Sequence, residues 1–149
     1  MKANKKTIIF AILTLIWTGV IFSFSLQPAN QSAALSGGIL TRILALIQSW
    51  TGIVVPIEIV HNLFRKLAHF AEFFLLGMFA GNFFKTIGRT VFYGLLYGGA
   101  IAVLDECLQF ATQAGRAMRV FDMLLDIIGV LAALVILRFF LKIKSGKIN

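Results

Sequence analysis

"KLAHFAEFF", residues 66–74, continues without a break into "LLGMFAGNFF", residues 75–84. Length and apolarity make the combined run a membrane-crossing helix, for which about 20 residues suffice. Yet it carries Lys66, His69 and Glu72 among Leu, Ala and Phe. At the helical turn angle, Arg65, His69 and Glu72 fall on one face. Desolvating ionisable groups is costly, so within a span they face the bundle interior or a wet cavity and mark a functional site by default.

The rest of the chain has the same character. Its 149 residues are 59% hydrophobic and 13% charged, with a mean hydropathy of +0.91. A soluble domain would be about a quarter charged. Besides residues 63–84, three apolar stretches are long enough to cross a bilayer, at about 7–26, 90–110 and 121–141. The short linkers "KTIGR" and "ATQAGRAMR" make consecutive spans antiparallel. The expectation is an all-α membrane protein, a compact four-transmembrane-helix bundle forming one domain over residues 1–149. The first stretch follows the basic "MKANKK" as a signal peptide would. Its apolar core of about 20 residues exceeds the usual length, and no A-x-A site follows, so it reads as a retained anchor.

Between the first two spans, "LSGGILTRILALIQSW" repeats Leu35, Ile39, Ile43, Ile47 and Trp50 at helical spacing. This predicts an amphipathic extracytoplasmic helix over about 32–50, lying at the membrane surface with Trp50 at headgroup level. A short re-entrant hairpin is the alternative. Pro56 interrupts regular structure before the second span.

Basic residues set the orientation. Nine lie on one side (Lys2, Lys5, Lys6, Lys85, Arg89, Arg138, Lys142, Lys144, Lys147) and five on the other (Arg42, Arg65, Lys66, Arg116, Arg119). The richer side, which lacks Asp and Glu, should be cytoplasmic, with both termini inside. All six acids (Glu58, Glu72, Asp105, Glu106, Asp122, Asp126) belong to the other half. The net charge of +8 is therefore a cytoplasmic surface effect suited to anionic lipid, and no nucleic-acid partner is implied. The lone Cys107 excludes an intramolecular disulfide and a multi-cysteine metal site, and reads as a small apolar filler.

With that topology, the second span enters from outside bearing Arg65, His69 and Glu72. The third leaves with Asp105 and Glu106 flanking the direction of Gln109. The fourth enters with Asp122 and Asp126 aligned with Gly129, where glycine permits close packing. Gly94 and Gly98 offer a second small-residue contact surface. Three helices thus bring acids to a similar depth, in an outward-facing polar funnel with Arg116 and Arg119 above. The candidate ligand-binding set is Arg65, Lys66, His69, Glu72, Asp105, Glu106, Gln109, Arg116, Arg119, Asp122 and Asp126. Ser23 and Ser25 lie near the right depth without a motif.

"RKLAHFAEFFLLG", "DECLQFATQAGR" and "FDMLLDIIG" resemble the three signatures of the VanZ-like membrane proteins. The resemblance runs from about Trp17, through "FSLQP", to about Leu137. Three positions depart from the pattern: Phe73 where Tyr is common, Ala114 where Pro often stands, and Asp126 where Asn is usual. The resemblance implies a protein of the bacterial cytoplasmic membrane, and for some members glycopeptide (teicoplanin-type) antibiotic resistance.

Three readings of the funnel stay open. Its charges nearly cancel, so they can be structural pairs that fix helix register. Alternatively, the rim arginines can hold phosphate or carboxylate bidentately. That suits membrane lipids, an anionic headgroup or a lipid-linked peptidoglycan precursor. Finally, His69, Glu72, Asp105 and Glu106 are candidates for acid–base or metal-assisted catalysis. One His with scattered carboxylates is a weak metal signature, and no nucleophile stands beside a base. The expectation is therefore no cofactor and no metal.

Overall fold

The computed structural model describes residues 4–27, 29–54, 56–89, 91–112 and 119–144. They form five helices: α1 (Lys5–Ser25), α2 (Ala29–Thr51), α3 (Ile57–Thr86), α4 (Val91–Thr112) and α5 (Val120–Lys144). No strand occurs among the described residues. Four helices, α1, α3, α4 and α5, are long and apolar enough to cross a membrane.

Local sequence explains the ends. The Asn4 side chain caps α1 by accepting the backbone N–H of Lys6 at 3.3 Å. α3 begins immediately after Pro56, six residues before the apolar run used to place the span. Proline fits a helix start, where its missing N–H costs nothing. α3 closes at Gly88, whose φ of 75° is the left-handed conformation glycine adopts freely.

α1 is apolar on the outside and polar within. Its buried residues are Thr14, Thr18, Ile21 and Ser25, a stripe at helical spacing, while Ile8, Ile12 and Leu15 are exposed. The hydroxyls donate to carbonyls one turn back: Thr14 to Phe10 at 2.7 Å and Thr18 to Thr14 at 2.9 Å. Small hydroxyl residues inside and large aliphatics outside is the arrangement lipid demands. Thr18 also shares a 2.9 Å hydrogen bond with Tyr97 of α4.

α3 and α5 pack most extensively and run parallel. Arg65 meets Asp122 and His69 meets Asp126, and the helices stay in register towards Gly81, which faces Leu134 and Leu137. At Gly129 a Cβ would sit 2.6 Å from the Phe70 carbonyl oxygen, so this crossing needs glycine. α4 runs the other way, and the expected small-residue surface is its contact. A Cβ at Gly98 would meet Val130 at 2.7 Å. The core between these helices consists of Ile21, Phe73, Leu76, Ile101, Ala102, Val130 and Leu134.

α2 is a single continuous helix, which rules out the hairpin alternative. It rests on α3 with Leu40 buried, leaving Ile39, Ile43, Leu46, Ile47 and Trp50 exposed.

Candidate functional site

Parallel pairing of α3 with α5 stacks their polar residues in register. At the turn nearest the start of α5, Arg65 Nη2 donates to Asp122 Oδ2 at 3.0 Å. Arg119 Nη1 lies 3.9 Å from the same oxygen, with half its side chain exposed (52%). One turn deeper, His69 Nδ1 stands 3.5 Å from Asp126 Oδ1. The Asp126 side chain is 1% exposed. Neither of its oxygens, nor His69 Nδ1, has a hydrogen-bond partner among the described residues.

α4 supplies the opposite wall. Asp105 is buried and accepts the Ser25 hydroxyl through Oδ1 and the Gln109 amide through Oδ2 at 2.8 Å. Gln109 lies one turn along the same helix, as its spacing predicted. Thr112 reaches back to the Ser25 carbonyl at 3.3 Å, so the ends of α1 and α4 are joined around Asp105.

Glu106 neighbours Asp105 in sequence but turns about 100° away. It is buried and accepts the backbone N–H of Arg119, one residue before α5 begins. That N–H is one of those a helix start leaves without an intrahelical partner. Glu106 therefore ties the end of α4 to the beginning of α5. Glu72, a further turn along α3, is half-buried and within electrostatic reach of His69, Asp105 and Asp126. Its backbone carbonyl accepts the Trp17 indole N–H at 2.8 Å, which locks α1 against α3.

Of the candidate residues, Arg65, His69, Glu72, Asp105, Glu106, Gln109, Arg119, Asp122 and Asp126 all fall at this end of the bundle. Lys66 is exposed and forms no ion pair among the described residues. Arg116 and Ala114 lie outside the described residues. Cys107 is exposed rather than filling the core, because the inward directions at this level of α4 belong to Asp105, Glu106 and Gln109. The principal addition is Ser25, together with the Trp17 clamp. A hydroxyl at the inner face of a span end was the available signal.

Charge separates into two levels. At the level of Asp122, two guanidinium groups share one carboxylate. Below, no Lys or Arg pairs with Glu72, Asp105 or Asp126 among the described residues, and His69 is the basic group they face. One ligand-capable atom from each of His69, Asp105 and Asp126 lies within 4.8 Å of the others. Such a cluster can hold a proton, an ammonium group or a cation.

The three signature segments found in the sequence supply these walls, one each on α3, α4 and α5. No curated protein and no solved structure matches the chain. The family model described as VanZ/LLP1 matches residues 10–141, a range that overlaps all four membrane-length helices. The chain is therefore a multi-pass membrane protein that belongs to the VanZ/LLP1 family.

Proposed function

We propose that this protein resides in the bacterial cytoplasmic membrane with both termini inside and its polar cluster opening towards the outer leaflet. There it holds the headgroup of an anionic lipid or lipid-linked cell-wall intermediate, and through this contributes to teicoplanin-type glycopeptide resistance. The observation carrying the reading is the gathering of all the buried carboxylates among the described residues, with His69, Gln109 and Ser25, at one end of the bundle, beside the half-exposed Arg119 guanidinium. An exposed guanidinium can receive a phosphate oxygen, and buried carboxylates beneath it can receive an ammonium group. The basic residues favour this orientation by nine to five. The exposed apolar stripe of α2, ending in Trp50 at 87% exposure, suits a helix resting at headgroup level.

An acid–base enzyme is the weaker reading. Glu106 accepts a backbone N–H and Asp105 accepts from Ser25 and Gln109, contacts that a supporting role already accounts for.

The test is lipid binding by the purified chain in nanodiscs, read by native mass spectrometry. Phosphatidylglycerol and a polyprenyl-diphosphate-linked precursor are compared with phosphatidylcholine. The anionic ligands should be retained preferentially, and Arg119→Ala should weaken retention by about tenfold, the loss of one charge-assisted contact. Arg119→Lys should weaken it partly, because the fork is lost while the charge remains. Equal retention of all three lipids would overturn the reading.

A further inference from the structure

Asp126 presents an unresolved demand. Its carboxylate is almost completely buried, both oxygens lack a hydrogen-bond partner among the described residues, and so does the facing His69 Nδ1. Stranding a buried charge costs several kcal/mol, and Asp105 adds a second carboxylate at the same level. Among the described residues, the guanidinium groups of Arg65 and Arg119 lie one turn above and face Asp122 rather than Asp126.

We propose that His69, Asp105 and Asp126 form a binding site for one first-row divalent cation. A doubly charged ion would neutralise both aspartates and give His69 Nδ1 and Asp126 a partner, which neither has among the described residues. The spacing suits this. Ligands about 2.1 Å from a tetrahedral ion are roughly 3.4 Å apart, and His69 Nδ1 and Asp126 Oδ1 are 3.5 Å apart. The third ligand atom falls within the same 4.8 Å cluster. That separation is long for a direct hydrogen bond and natural for two ligands of one ion.

The donor set narrows the ion. One imidazole with two carboxylates suits Mn²⁺, Fe²⁺ or Zn²⁺, whereas Mg²⁺ and Ca²⁺ take oxygen ligands. Outer support is also present. Ser25 and Gln109 hold the Asp105 carboxylate, the kind of second contact that orients a ligating group. Of the three residues His69 is the most exposed, at 18% of its side chain, so an ion would enter from its side of the cluster. Gln109 and the nearby Glu72 complete the surroundings. This inference does not rest on the headgroup reading, because the ion would bind in detergent with no lipid present.

The test uses the full chain, purified in detergent, stripped with EDTA and desalted. It is titrated with Mn²⁺, followed by the loss of the free-ion paramagnetic resonance signal, and with Zn²⁺, followed by metal analysis after gel filtration. One ion per chain is expected, with a rise in melting temperature that EDTA reverses. Asp126→Asn and His69→Gln should each lower affinity more than about 100-fold, beyond the loss from removing an outer-shell contact. Folding of each variant is checked by gel filtration, and Asp105→Asn replaces either one that fails. Wild-type chain that takes up neither ion at millimolar concentration overturns the proposal without reference to any variant. So does unchanged affinity in the folded variants, which would place the ion elsewhere.

Discussion

The Arg65 guanidinium lies 3.0 Å from the Asp122 carboxylate, joining α3 to α5 across a separation of 57 residues in the chain. Both side chains are mostly withdrawn from solvent, at 24% and 10% exposed. Breaking the pair from one side therefore strands a partly desolvated charge. Arg65→Ala should lower stability in detergent by about 2 kcal/mol, between the values for exposed and buried pairs. Because Arg119 also faces Asp122, the pair is isolated by Arg65→Ala, Asp122→Ala and the two together, and the double variant should lose less than the sum of the singles. Thermal melting of the single and double variants measures it, and additive losses in the double variant would show that the contact contributes nothing.

Glu106 separates support from catalysis. Glu106→Gln keeps an oxygen for the Arg119 backbone N–H, so stability and lipid retention should stay near wild type. Glu106→Leu removes the acceptor and should cost about 1–2 kcal/mol. Melting temperatures and lipid retention of the two variants check this. Loss of all function in a stable Glu106→Gln protein would point to proton transfer instead.

Gly129→Ala places a methyl group where only 2.6 Å separates it from the Phe70 carbonyl oxygen. A backbone atom cannot turn aside as a side chain can, so α3 and α5 must move apart. The expected cost is about 1–3 kcal/mol, as for other overpacked sites. It should appear as a lower melting temperature, together with weaker retention of anionic lipid, because the polar pairs sit just above this crossing. An unchanged melting temperature would mean that α3 and α5 accommodate the methyl group without separating.

The orientation is tested by reporter fusions. Fusions after Lys85 and at the C-terminus should read cytoplasmic, and fusions at Gln48 and Ala114 external. A cytoplasmic signal at Ala114 would turn the polar cluster inward and remove the cell-wall intermediate from its reach.

The sequence makes the helices and their polar faces legible because each depends on short-range spacing. Arg65, His69 and Glu72 share a face through the α-helical repeat, and Gly129 follows Asp126 on another. What spacing on one helix cannot supply is its rotation against a neighbour. Asp105 and Glu106 are adjacent in sequence and look equivalent there. Packing turns one towards Ser25 and Gln109 and the other towards the Arg119 backbone. The same rotation leaves Lys66 exposed beside the cluster and Cys107 exposed rather than in the core. The early start of α3 was hidden for a different reason. The segment between Pro56 and the apolar run includes Glu58, His61 and Asn62, so hydropathy marks the span but not the whole helix.

The parallel fit of α3 with α5 also has a consequence for biosynthesis. The partners Arg65 and Asp122 are 57 residues apart, and α4 must be made between them. At about 5–20 residues per second, the second partner emerges roughly 3–11 s after the first. During that interval α3 carries Arg65 and His69 without the aspartates that later face them. α3 is thus expected to linger at the insertion machinery or in a shallow, tilted position until α5 arrives, making α5 the element that commits the nascent chain to its final depth. Chains truncated before Val120 should accordingly be poorly retained in the bilayer and rapidly degraded, despite containing three of the four apolar helices.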